Sequence, residues 1–253
     1  MVYYILAILI SIVLYAVGLA FMKYLVKYRK FSDIDFPFMV FILYFIEIVL
    51  LLVEAGVENW NYLTLLPLGN IGPFMFFTLP FLFLLPKKIR KYYLTLIVLL
   101  SPAMLIYGLF DGIVLVISGR QAYATYVIDI LAHALFAVYG VYLVRSGQVD
   151  FDVKRSLISG SVILGVAVLM LVLNAIFRTP FFGLSVYGEH NIYNIIFLKS
   201  AALSIILYFV GVAVALVIGY FYGKYLSIAL DALERQPEED ADAEEDPADE
   251  DEE

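Results

Sequence analysis

Residues 65–86 read LLPLGNIGPFMFFTLPFLFLLP, and this stretch decides how the chain is organised. It is apolar and long enough to cross a bilayer, which takes about 20 residues. Five helix-breaking residues interrupt it: Pro67, Gly69, Gly72, Pro73 and Pro80. Irregular backbone at membrane depth persists only where protein surrounds it or where it lines a wet cavity. We therefore expect this segment to lie at the centre of a helical bundle and to border a polar site.

The composition around this stretch indicates a membrane protein. Of the 253 residues, 63% are hydrophobic, which is outside the range of soluble domains. The chain has no cysteine, so disulfides, thiolate metal sites and a cysteine nucleophile are excluded. These features predict an all-α fold, a polytopic bundle of membrane-spanning helices in the cell membrane.

Seven apolar spans can be drawn, each close to the length that a bilayer requires. They cover approximately residues 2–22, 37–57, 65–86, 92–110, 124–144, 156–177 and 195–222. Between spans four and five, residues 111–123 are too short to cross but apolar enough to dip into the membrane interface. Lys and Arg concentrate in alternate connections, after spans one, three, five and seven. The positive-inside rule therefore predicts that the N-terminus is outside and the C-terminus is cytoplasmic.

The last 23 residues differ from the rest of the chain. Fourteen of the 24 acidic residues but only one of the 16 Lys and Arg residues lie at or after Asp231. A polar run of one charge cannot bury enough apolar surface to become ordered. The sequence thus predicts two parts, a transmembrane domain over 1–230 and a disordered cytoplasmic tail over 231–253. The tail is a solvated end or a segment that binds a cation or a partner.

Three titratable residues inside the spans are candidates for chemistry. Glu47 lies near the middle of span two, and Asp129 and His133 lie one helical turn apart in span five. Ionisable groups at membrane depth are costly and often functional. The Asp–His pair is either a structural bond or a carboxylate that orients a general base. We therefore name His133, Asp129 and Glu47 as the catalytic candidates.

Further polar residues of the spans are candidates for binding a ligand. Asn70, Asn174 and Glu54 lie between the midplane and the predicted outer surface, where they suit an outward-opening pocket. The asparagines equally suit hydrogen bonds between helices, and Glu54 equally suits a structural pair near the interface, as do Asp111 and Lys199. The spacing of these residues does not show whether their faces converge.

Several classes of function have no signal in this sequence. The chain contains no nucleophile elbow, zinc-protease motif, P-loop or dinucleotide fingerprint. Two histidines and no cysteine argue against a structural zinc site, and we predict neither metal nor cofactor. The basic residues are explained by membrane topology, so no nucleic acid is expected; membrane lipids are the expected partners.

The order of short motifs resembles the YwaF-type integral membrane proteins. These are related to a eukaryotic multi-span family that includes a phospholipid acyltransferase. The resemblance covers roughly residues 37–200 and includes Glu47, the Leu66-Pro67-Leu68 turn, His133 and Asn174. In that family the motif of span three continues to a His and then a Cys, but this chain has Gly69 and Ile71 there.

Two hypotheses follow from the residues and the resemblance. The acyltransferase relatives are thought to use the span-three Cys as the acyl-accepting nucleophile, so its absence favours a non-enzymatic protein that binds or transports a lipid or small ligand. In that case Glu47 and His133 form a protonatable site. The alternative is a lipid-modifying enzyme in which His133 acts as general base without a Cys nucleophile.

Overall fold

The computed structural model describes residues 2–55, 69–117, 124–149, 151–177, 179, 181–184 and 201–242. Over these residues the backbone is helical, with short turns and no strand, so the predicted all-α class is confirmed. The α-helices are α1 (Val2–Ala20), α2 (Met22–Lys27), α3 (Arg29–Ala55), α4 (Ile71–Thr78), α5 (Lys87–Ile117), α6 (Ala124–Arg145), α7 (Val153–Phe177) and α8 (Ala201–Asp242). Two 3-10 helices cover Leu79–Leu84 and Phe181–Gly183.

Within the described residues, four helical segments are long and apolar enough to cross a membrane. They are Lys87–Phe110, Val127–Arg145, Val153–Phe177 and Ala202–Ala229. Two shorter apolar segments are Ile8–Ala20 and Ile71–Leu84. The outer faces of α7 and α8 expose aliphatic side chains such as Val168, Val172 and Val214. Because large apolar surfaces are stable against lipid and not against water, the chain is a helical membrane protein.

Helix α6 is the centre of the bundle. Its apolar segment is 78% buried, against 22% for that of α8. It contacts α1, α2, α3, α4, α5 and α8. Small residues such as Ala132, Ala137 and Gly140 let neighbouring backbones approach it closely. The expectation that residues 65–86 form the centre is therefore corrected for residues 69–86, which form the short helix α4 and a 3-10 helix; α4 packs against α3 and α6 and lies beside His133. Residues 65–68 lie outside the described part.

Pairs of contacting residues show how the helices run. Asp33 and Phe36 of α3 meet Tyr142 and Tyr139 of α6, so these two helices are antiparallel. Gly140 and His133 of α6 lie against Ser101 and Gly108 of α5, which is again antiparallel.

Single contacts show what surrounds the second half of α1. The hydroxyl groups of Tyr15 in α1 and Tyr222 near the middle of α8 are 2.9 Å apart. Gly18 of α1 lies against Val138 in the second half of α6.

Several predicted boundaries differ from the observed ones. Helix α3 begins at Arg29 and contains Pro37, which the sequence suggested as a helix start. Helix α5 contains Pro102 and continues to Ile117, so residues 111–117 extend a helix and do not dip as a separate loop. Neighbouring helices help to satisfy backbone groups freed by proline, which is why both prolines are tolerated.

The last helix is longer than the sequence suggested. Helix α8 continues to Asp242, twelve residues past the boundary predicted at residue 230. Residues 232–236, ALERQ, are all strong helix formers and favour continuation of the helix. Residues 231–242 are therefore helical where disorder was predicted, and residues 243–253 lie outside the described part of the chain.

Candidate functional site

The predicted Asp–His pair forms in α6. The imidazole Nδ1 atom of His133 lies 3.1 Å from the Oδ1 atom of Asp129 and 2.9 Å from the carbonyl oxygen of the same residue. A carbonyl oxygen can only accept a hydrogen bond, so Nδ1 carries the proton and donates. In the neutral ring Nε2 is then the acceptor, and the carboxylate holds the ring in one orientation.

The imidazole is enclosed by α4 and α5. Its side chain is 2% exposed. A Cβ atom added at Gly72 would lie 3.0 Å from Nε2, and one added at Gly108 would lie 2.7 Å from the Cβ of His133. The ring of Phe76 stands edge-on at 4.8 Å between centroids, and that of Tyr107 lies at 5.5 Å. A Cβ at Gly108 would therefore force His133 to shift, and one at Gly72 would be a tight contact.

Glu47 reaches the same level of the bundle from α3. The contacts of Asp33 with Tyr142 and of Phe36 with Tyr139 fix the antiparallel register of α3 and α6. If the same pairing of α3 with α6 continues along the two helices, Glu47 of α3 lies at the level of residues 128 and 129 of α6. The side chain of Glu47 is 2% exposed. Among the residues that the structure describes, no group of three His, Asp or Glu side chains is close enough to hold a metal ion.

The rings of Tyr44 and Phe76 connect the α3 side of the site to His133. Tyr44 is one turn from Glu47 in α3, and its ring meets that of Phe76 at 6.2 Å, which in turn meets the imidazole. All of these side chains are buried. The His133 site thus consists of the imidazole, the Asp129 carboxylate and packed aromatic rings, with the buried Glu47 at the same level on α3.

The predicted ligand-binding residues have different surroundings. Asn70 is the N-terminal cap residue of α4, two residues before Gly72, and its carbonyl oxygen accepts a hydrogen bond from the backbone N–H of Phe74 at 3.1 Å. Asn70 therefore lies beside the helix turn that covers the imidazole. Glu54 belongs to the last turn of α3, but its side chain lies outside the described part. The same applies to the side chain of Asp111 and to all of Lys199.

Asn174 holds a turn together. Its Nδ2 atom donates to the carbonyl oxygens of Phe181 at 2.8 Å and Leu184 at 3.1 Å. Its Oδ1 atom accepts from the hydroxyl of Thr179 at 3.0 Å and from the backbone N–H of Phe181 at 2.8 Å. Both donors and both acceptor positions of the amide are used. A ligand would bind Asn174 only after this turn opens, and its predicted binding role stays a prediction.

A second polar cluster at the other end of α3 and α6 was not predicted from the sequence. The Oδ1 atom of Asp33 accepts hydrogen bonds from the hydroxyl of Tyr142 at 2.5 Å and from the Nε2 atom of Gln148 at 2.7 Å. The sequence contains a signal for this position of Asp33. Buried residues of α3 recur every three or four residues along one face, and Asp33 belongs to the same face as Phe36, Val40, Tyr44 and Glu47.

The arrangement at His133 can exchange a proton. A buried imidazole with an oriented Nδ1–H has one acceptor atom to offer. Gly72, Gly108, Phe76 and Tyr107 lie against the imidazole.

Comparison with known proteins adds no constraint. No protein-family profile, no curated protein and no solved structure matches this chain. The resemblance to the YwaF-type proteins stays a prediction.

Proposed function

We propose that this chain is a seven-span protein of the cell membrane with its N-terminus outside and its C-terminus in the cytoplasm. The antiparallel packing of α6 against α3 and against α5 supports the alternating directions that spans two, four and five require. The basic residues of the helix ends support the orientation, since those of α2, α5, α6 and α7 lie at the end where Tyr15 meets Tyr222. Membrane lipids surround the bundle, and the acidic tail meets cations or a partner in the cytoplasm.

We propose further that the protein binds or transports a small ligand at the site formed by Glu47, Asp129 and His133. One observation carries this proposal: the imidazole of His133 is buried and oriented by Asp129, with the buried Glu47 at the same level. Buried titratable groups inside a membrane are costly and are retained where they serve a ligand or a proton. Two carboxyl groups beside aromatic rings favour a positively charged ligand.

An enzyme is the second candidate, and the Asp129–His133 geometry is what favours it. A carboxylate on Nδ1 is the arrangement that orients a general base. The YwaF-type resemblance points to acyl chemistry on lipids, but the family's cysteine is replaced here. A buried ring that packs against glycine and aromatic neighbours and is oriented by a carboxylate suits reversible protonation.

Ligand-induced stabilisation of the purified protein tests the binding proposal. A ligand present at 100 times its Kd stabilises the folded state by about 2.7 kcal/mol, which shifts the melting temperature measurably. We expect organic cations from a panel of cationic, neutral and anionic compounds to raise the melting temperature of the wild type. Asp129→Asn and Glu47→Gln should abolish the shift. Asp33→Asn is the matched control, since it neutralises a carboxyl group of the same helix pair at the other end, and it should keep the shift.

Lipid analysis separates binding from catalysis. Membranes of cells that express the wild type or His133→Ala at equal levels are compared by mass spectrometry. Identical lipid profiles are expected from a binding or transport protein. A lipid species that changes with the wild type alone would replace this proposal by the enzymatic one and would identify the substrate class.

A further inference from the structure

Helix α4 is held on two opposite faces. Gly72 and Phe76, one turn apart, face the imidazole of His133. Phe74 lies between them in sequence and points to the other side of the helix, where its ring meets that of Phe182 at 5.6 Å. The wall of the His133 site is therefore kept in place by the turn that follows α7.

The turn that follows α7 has an unusual backbone conformation at Phe182. Phe182 is fully buried and has φ of 56° and ψ of 23°, the left-handed region that bulky residues rarely adopt. It is kept there by the four hydrogen bonds of the Asn174 amide to Thr179, Phe181 and Leu184. A strained residue persists only where its surroundings hold it, so loss of the amide would release the turn.

The two ends of α4 are attached differently. At its C-terminal end the hydroxyl of Thr78 lies 2.5 Å from that of Tyr93 in α5, and the chain continues directly into the 3-10 helix Leu79–Leu84. At its N-terminal end Asn70 is extended, and no side-chain hydrogen bond caps the helix there. The end that covers His133, where Gly72 and Pro73 are buried, is also the end on which Phe182 packs through Phe74.

We propose that α4 is a gate over the His133 site and that the turn bonded to Asn174, which includes Thr179, Phe181, Phe182 and Leu184, is its latch. When the latch releases, the N-terminal end of α4 tilts away about its fixed end at Thr78, and the imidazole becomes accessible. The gate rests on the proposed function only in one respect, namely that its opening lets a ligand reach His133. The movement itself follows from the contacts of α4.

Thiol labelling tests the gate, because the wild-type chain has no cysteine and gives no background. Met104 is the reporter position: it is buried in α5, and a Cβ at Gly72 would lie 3.9 Å from its sulfur. Met104→Cys in proteoliposomes is treated with a water-soluble maleimide. We expect Met104→Cys to be labelled slowly. Adding Asn174→Ala should increase its labelling rate about tenfold, which is the effect expected for the loss of about one net hydrogen bond.

Two controls make the result specific to α4. Ser156→Ala removes a buried hydroxyl at the other end of α7 and should leave the labelling rate of Met104→Cys unchanged. A cysteine at Ser159, which is buried in the same helix away from the turn, should stay unlabelled in the Asn174→Ala protein and so excludes general loosening.

A second variant covers the case that Asn174→Ala does not fold. Phe182→Gly keeps the backbone conformation without strain and removes the ring that presses on Phe74. It too should accelerate labelling of Met104→Cys. Unchanged labelling in either folded variant would overturn the gate. Because the readout needs no ligand, that result would leave the proposed binding function standing, and loss of the cation response would leave the gate standing.

Discussion

Gly140→Ala is expected to disrupt the contact on which the bundle is built. An alanine Cβ at this position of α6 would lie 1.8 Å from the Oγ and 2.6 Å from the Cβ of Ser101 in α5. Rotation of the serine cannot relieve the clash with its own Cβ, and its hydroxyl is already bonded to the carbonyl oxygen of Ile97 at 2.7 Å. The two helices must move apart until ordinary contact, which begins at 3.4 Å, is restored.

The magnitude follows from two opposing contributions. Replacing glycine by alanine inside a helix stabilises it by about 1 kcal/mol. Overpacking of a well-packed contact costs about 1–3 kcal/mol, and a contact this short belongs at the upper end. We expect a net loss of about 2 kcal/mol for Gly140→Ala. Gly165→Ala is the matched control, because nothing lies within 4 Å of its added Cβ, and it should gain up to about 1 kcal/mol.

Thermal unfolding of the purified protein, followed by circular dichroism, measures both changes. Gly140→Ala should lower the melting temperature by about 4–8 °C, and Gly165→Ala should leave it unchanged or raise it. Combining Gly140→Ala with Ser101→Gly removes the clash, since the next atom is the Cα of Val98 at 3.8 Å, and should restore most of the loss. Equal melting temperatures for Gly140→Ala and Gly165→Ala would refute the packing of α5 on α6 described here.

Three further predictions concern the site, the turn and the tail. His133→Ala should remain folded and inserted, because removing a buried polar group eases partition into the membrane. The variant should lose the rise in melting temperature that cations cause in the wild type. An unchanged rise would show that His133 is not part of the site. Asn174→Ala should lower stability by about 2–3 kcal/mol through unsatisfied backbone groups of the turn, whereas Ser156→Ala, whose hydroxyl has no partner among the described residues, should be near neutral in the same assay. Deleting residues 231–253 should leave a monodisperse protein on size-exclusion chromatography, since in the described part no core residue lies beyond Leu226; aggregation would contradict this.

The features that depend on neighbouring residues could be predicted from the sequence. The apolar runs indicate membrane-spanning helices. Among the described residues, four helices are long and apolar enough to cross a membrane. The i, i+4 spacing of Asp129 and His133 predicts their pairing, and the two side chains meet. Helix boundaries were predicted less well, because Pro37 and Pro102 lie inside helices where tertiary packing outweighs their intrinsic preference.

The features that depend on distant residues could not be predicted. That α6 and not the broken segment forms the centre depends on which helices pack together. The enclosure of His133 by Gly72 and Gly108 joins three helices, and no spacing in the sequence reports it. Likewise, Asn174 could be recognised as a buried amide, but its bonds to the turn after α7 depend on how that loop closes.

The most direct test of the central claim is the nitrogen-15 NMR spectrum of the His133 imidazole, recorded with and without a cation that stabilises the protein. The chain has only two histidines, so His190→Asn leaves a single imidazole to observe. We predict a neutral ring protonated at Nδ1, whose signals shift on addition of the cation and do not shift in Asp129→Asn. Signals of His133 that stay unchanged while the cation stabilises the wild-type protein would show that the ligand binds elsewhere, and would contradict the site proposed here.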